Sequence, residues 1–245
     1  MNLQNRQKVL GRNLLTAVVF TTIFGSATAF ANTITYTSDP SFLAAVGSSI
    51  TDNYSNPGYA RSNGPQPTFM TDAVMSAVLG QTTYTDTKFP NQNEVVGPAS
   101  GGNPYFCSGC NGSVKLGFLS TSLTTDGGVY GVSFNYRDGV PGATGQPFDF
   151  LVTFGDGSKT DYTVPASGQV LPSGFATDFF GITSDQEIAS IYFGIDGSPS
   201  SSTVFALDNL TIAAAQSVPE PISMAVFGAG LAGLAAVRRR KMPAA

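Results

Sequence analysis

The residue types that could do chemistry in this chain are few. Cys107-Ser108-Gly109-Cys110 holds both of its cysteines, and there is no histidine. A C-x-x-C pair is a redox couple, half of a zinc shell, or a short disulfide. Neither imidazole nor a second cysteine pair is present to complete a zinc shell. The lack of histidine also excludes Ser-His-Asp and Cys-His nucleophiles and the H-E-x-x-H metal helix. Asp208 is the most informative acid. In Val204-Phe205-Ala206-Leu207-Asp208-Asn209-Leu210-Thr211-Ile212 it shares strand parity with Val204, Ala206, Leu210 and Ile212. An ionised carboxylate on an apolar face needs a metal or several donors, because an unpaired buried charge is too costly. A hard, oxygen-liganded ion such as Ca²⁺ fits this acidic, histidine-free composition, which makes Asp208 a candidate ligand of a structural calcium. The alternatives are that a bulge or backbone donors satisfy Asp208, or that Phe205 and Leu207 form the inner face instead.

The other acids sit at turns. Asp138 and Asp196 precede glycines, Asp156 and Asp161 flank a hairpin, and Asp52 lies in Thr51-Asp52-Asn53. Each reads as turn chemistry, and none forms the alternating loop of an EF-hand. Between residues 32 and 217 the glutamates are Glu94 and Glu187, and no catalytic motif surrounds either. No catalytic residue is assigned, and the chain reads as a non-enzyme. The alternative, an aspartate-dependent glycoside hydrolase, turns on carboxylate separation in space. Sugar binding wants flat rings. The chain has no tryptophan but nine tyrosines. Tyr54, Tyr59, Tyr84 and Tyr105 lie in polar, loop-like surroundings, where each either stacks on a ligand or covers the edge of the core.

Short strands must position these residues. Tyr130, Val132, Phe134 and Tyr136 alternate with smaller or polar residues, as do Phe148, Phe150, Val152 and Phe154, and Ile191, Phe193 and Ile195. Turn signals separate these runs, among them Asp126-Gly127-Gly128, Asp138-Gly139, Gly155-Asp156-Gly157-Ser158 and Asp196-Gly197. Many strands at short spacing, without a strand–long helix rhythm, predict an all-β fold: an antiparallel β-sandwich or jelly roll with one or two short helices. Asp39 is placed to cap a helix over 40–46 with Pro40 at its first position, and Thr71 to cap one over 72–79 that Gly80 ends. The segment 54–69, with three prolines, reads as a loop.

Both ends read as addresses. Arg6, Lys8 and Arg12 precede an apolar stretch from Leu14 to Phe24 and small residues up to Ala31. That is the pattern of a secretory leader over 1–31, with Asn32 as the mature start. Export to an oxidising compartment makes a local Cys107–Cys110 disulfide the best reading of the cysteine pair. At the other end, Val218-Pro219-Glu220-Pro221 precedes an apolar run over 222–237, followed by Arg238-Arg239-Arg240-Lys241. The run reaches ~24 Å as a helix, short of a ~30 Å hydrocarbon core, and its basic end stays on the cytoplasmic side. The domain between the signals, 32–217, holds five basic residues against fifteen acids, about −10 in net charge. Such a surface repels phosphate, so nucleic acid is excluded as a partner.

The tail over 218–245 closely resembles the PEP-CTERM sorting signal of Gram-negative bacteria: Pro-Glu-Pro, a short apolar helix and a basic end, in that order. The resemblance implies export, transient anchoring in the inner membrane, and processing by an exosortase with the export machinery. It also implies display at the cell surface or in an extracellular matrix, with biofilm exopolysaccharide as the expected partner. A purely structural matrix protein without a ligand is the alternative. The middle domain more loosely resembles secreted jelly-roll modules of the carbohydrate-binding kind. Their last strand carries a similar hydrophobic–Asp–Asn–hydrophobic pattern, which for Asp208 again implies calcium.

Overall fold

The computed structural model describes residues 31–63, 66–97, 104–109, 113–124, 127–138, 148–164, 176–194 and 205–216. The leader, the sorting tail, Cys110 and the turns at 139 and 196–197 lie outside them. The described strands are β1 (Thr33–Tyr36), β2 (Ser49–Asp52), β3 (Arg61–Ser62), β4 (Phe69–Met70), β5 (Thr83–Asp86), β6 (Asn93–Val96) and β7 (Tyr105–Ser108), then β8 (Val114–Gly117), β9 (Val129–Asp138), β10 (Phe148–Phe154), β11 (Lys159–Val164), β12 (Ala176–Phe193) and β13 (Phe205–Ala213). Two short helices, α1 (Asp39–Leu43) and α2 (Asp72–Ala77), complete the set.

Aromatic and β-branched residues at period two build the long strands. In β9 Val132, Phe134 and Tyr136 are buried, and in β10 Phe150, Val152 and Phe154. Tyr130 is only half-buried and stays outside the core, while its neighbour Val129 is fully buried in it. The turn at 155–158 forms as its residues predict. Gly157 takes φ +85, Phe154 N–H donates to Ser158 O, and Asp156 Oδ1 accepts from Ser158 N–H.

The strand β12 joins two layers. Its first half pairs with β9 and β1, and its second half with β10 and β8. Phe180 from the first half and Phe193 from the second both pack on Phe134 and on Phe150. The strand therefore bends from one layer into the other. One layer runs from β1 through β12, β9 and β13 to β7, β6 and β3; the other runs β11–β10–β12–β8–β5. The recorded pairings are antiparallel except that of β3 with β6. The fold is the expected all-β sandwich, with its core of rings between the layers.

One helix start differs from expectation and the other agrees with it. At α1, Ser38 rather than Asp39 occupies the cap position, and Asp39 begins the helix beside Pro40. No side chain caps it, and it ends at Leu43. At α2 the expected cap forms, Thr71 Oγ1 accepting from Val74 N–H at 3.3 Å, and Gly80 takes φ +68 just beyond the end. What holds α1 is packing. Phe42, fully buried, sits on Gly131 of β9 and Gly181 of β12, beside Val46 and Ala213. A Cβ on Gly131 would stand 2.8 Å from Val46 and 3.1 Å from the Phe42 ring. Gly131→Val is thus expected to cost about 1–3 kcal/mol, read from the urea midpoint.

Candidate functional site

The parity argument for Asp208 fails at a bulge. Asp208 is opposite Asn135, and the next registered pair is Thr211 with Ser133, so two residues of β13 face one of β9. Asn209 takes φ 49, which asparagine tolerates, and its N–H donates to Asp208 Oδ1 at 2.7 Å. Leu207, Leu210 and Ile212 all join the core, a set that no unbroken period of two permits. The shared face with Leu210 and Ile212, on which the calcium expectation stood, is therefore not there. Among the described residues no group of three His, Cys, Asp or Glu gathers as a metal shell. Cys107 is fully buried in β7 and is not a free thiol. Its expected partner, Cys110, lies outside the described residues.

Three of the four candidate sugar platforms face inward. Tyr54, Tyr59 and Tyr84 are buried, and Tyr105 is half-buried. The three buried ones converge on Asp52, the last residue of β2. Asp52 Oδ1 accepts from Tyr54 N–H at 2.8 Å, the two-residue turn bond typical of aspartate. Its Oδ2 accepts from the Tyr59 hydroxyl in a short bond and from the Tyr84 hydroxyl at 3.4 Å, while Tyr84 also donates to the Tyr54 oxygen at 3.3 Å. Burial raises the Asp52 carboxyl above its ordinary range, against the lowering effect of these hydrogen bonds. Burial likewise drives the Tyr54, Tyr59 and Tyr84 phenols far above theirs, with Asp52 adding to the shift in each. The phenols stay neutral, and the hydrogen bonds of the group clamp β2 to β5. A small cleft beside it, lined by Asp52, Tyr59, Ser76, Gln81 and Tyr84, has room for about one water and none for a sugar ring.

A broad outward face lies on the layer β5–β8–β12–β10–β11. Register places Thr85, Lys115, Tyr192, Leu151 and Asp161 in one row across its five strands. Thr83, Gly117, Ser190, Thr153 and Lys159 form the next row. At the usual strand spacing a row spans about 19 Å. Tyr192, half-buried at its centre, accepts at its hydroxyl from Thr87 Oγ1 at 3.4 Å. Sequence reasoning passed over Tyr192, although Ile191 and Phe193 on the inner face require it to face outward.

Residues 217–241 match the family model of the PEP-CTERM protein-sorting motif. The chain thus carries the motif its tail resembles, which implies export, membrane-associated sorting and processing by an exosortase. No curated protein and no solved structure matches this chain. Among the described residues no helix is long and apolar enough to cross a membrane.

Proposed function

We propose that this chain is an exported, non-catalytic surface or matrix protein of a Gram-negative bacterium. An exosortase releases it from the inner membrane, and its sandwich then rests against extracellular polysaccharide. The sorting motif at 217–241 carries this reading. Removing 1–31 would also place the new amino group of Asn32 beside Asp185, whose Oδ1 already accepts from the Asn32 N–H at 2.8 Å. A Cys107–Cys110 bridge belongs to the same reading, since export supplies the oxidising compartment it needs. Replacing Arg238, Arg239 and Arg240 with glutamine should leave full-length precursor in the inner membrane, visible on blots of fractionated cells. Normal release of the shortened product would count against exosortase processing.

The polysaccharide contact is assigned to the Tyr192 face. It is broad and hydroxyl-rich, carries Lys115, Lys159 and Asp161 as its charges, and has one ring at its centre for an apolar sugar face to lie against. Tyr192→Ala should weaken retention on the host's own exopolysaccharide by about three- to tenfold, the worth of one aromatic contact. An unchanged binding isotherm in the folded variant would remove the polysaccharide from this face and favour a matrix protein without a ligand.

A further inference from the structure

A second polar knot lies where α2, β5, β6 and β7 meet, and neither the Asp52 clamp nor the Tyr192 face uses it. Asp72 Oδ1 accepts from Asn93 Nδ2 at 2.7 Å and from the Asp86 backbone N–H at 3.3 Å. Asp86 Oδ2 accepts from the N–H of Gln92, the neighbour of Asn93, at 2.7 Å. Ser108 is the register partner of Asn93; its hydroxyl donates to Ser113 O at 3.3 Å and also bears on the Asp86 carboxylate. Two carboxylates, an amide and a hydroxyl thus share one small volume.

Two acceptors in the knot take no hydrogen bond: Asp86 Oδ1 and Asn93 Oδ1. Asp86 is 5% exposed and Asn93 0%, so bulk water does not supply the missing donor. Turning the Asn93 amide over would set its oxygen against Asp72 Oδ1, which fixes the orientation as it stands. The groups acting on Asp86 are the Asp72 carboxylate, the Ser108 hydroxyl and the Gln92 amide, none of them a cation. The buried Asp86, the half-buried Asp72 and two idle oxygens therefore meet without a positive charge among the groups acting on Asp86.

We propose that this knot binds a hard divalent cation, calcium by its donor set, through Asp86 Oδ1 and Asn93 Oδ1. The Ser108 hydroxyl serves as a neutral donor and Asp72 as the second negative charge. The donors are all oxygen, which disfavours softer metals, and calcium accepts irregular shells completed by water where magnesium demands a near-ideal octahedron. The ion would tie α2 and three strands together, and the site is independent of the Asp208 bulge and of the sorting tail.

The test uses the full chain in detergent, stripped with EDTA and titrated with Tb³⁺. Tyrosine sensitises terbium emission, Tyr84 is two residues from Asp86, and there is no tryptophan to confuse the signal. Saturable emission displaced by Ca²⁺, with a Ca²⁺-dependent rise in melting temperature, is expected. Asp86→Asn should weaken binding by at least about tenfold, and Asp208→Asn should leave it unchanged. Should Asp86→Asn fail to fold, Asn93→Asp decides the matter, because a third carboxylate here must tighten binding. The site is overturned by no emission from the unmutated chain, by binding that survives Asp86→Asn, by binding lost in Asp208→Asn, or by Asn93→Asp leaving affinity unchanged. It is equally overturned if the melting temperature of the stripped chain at neutral pH ignores added calcium.

Discussion

Phe134→Ala is expected to lower the unfolding free energy by about 3–5 kcal/mol, a large share of the ~5–15 kcal/mol that holds a typical domain. The ring is fully buried and packs against Tyr136, Phe150, Phe180 and Phe193, with centroids 5.1–6.3 Å apart. Phe180 and Phe193 come from the two halves of β12, and Phe150 from the layer opposite β9. The substitution therefore opens a cavity at the point where the bent strand and both layers are held together. Rings on three strands cannot all close into that space, so relaxation recovers little. Urea titration of the variant gives the measurement. A loss below about 1.5 kcal/mol would mean that the bend in β12 is held elsewhere. Phe134→Leu, which keeps most of the volume, should cost markedly less.

Asp52→Ala should cost about 2–4 kcal/mol, because it strands groups the carboxylate now satisfies. The Tyr59 and Tyr84 hydroxyls and the Tyr54 N–H all donate to it, and all three side chains are buried. Asp52→Asn keeps the turn bond at Oδ1 and removes the titrating group, while its amide nitrogen replaces the acceptor of the Tyr59 and Tyr84 hydroxyls with a donor. Burial raises the folded carboxyl above its unfolded value, so the neutral form is favoured by folding. This contribution is fully present below the unfolded value near pH 4 and is lost as pH rises through the folded one. Melting temperature should consequently fall from about pH 4 toward neutrality, and Asp52→Asn should flatten that fall. The Asp86 carboxyl is also raised by burial, so a residual slope of the same sign is expected in the variant. A profile unchanged by Asp52→Asn would show that Asp52 does not titrate differently in the folded chain.

Certain features were legible because they are local. Thr71, Asp72 and Gly80 start and stop α2 through bonds within a few residues of one another. The hairpin at 155–158 needs only its own glycines and aspartate. Where neighbours compete, local reading slips: Ser38 displaced Asp39 as the cap of α1, whose place is set by Phe42 seated on two glycines of distant strands. Tyr54, Tyr59 and Tyr84 sit among polar residues in the chain but among rings in space, and polar flanks say nothing of what packs above. Asp208 shows the sharpest case. Its parity was sound along the strand until Asn209 entered the left-handed region and reset the alternation.

By itself the amino-acid sequence determined the all-β class, the acidic histidine-free chemistry and the sorting motif, because alternation, composition and a contiguous signal need no partner. Tertiary structure alone decided which tyrosines are buried, that Tyr192 centres an open face, and that Asp52 meets Tyr84. It also brought Asp72, Asp86 and Asn93 together. Each of these depends on residues far apart in the chain reaching one point, and that is settled by how β12 bends and how the two layers close on their rings.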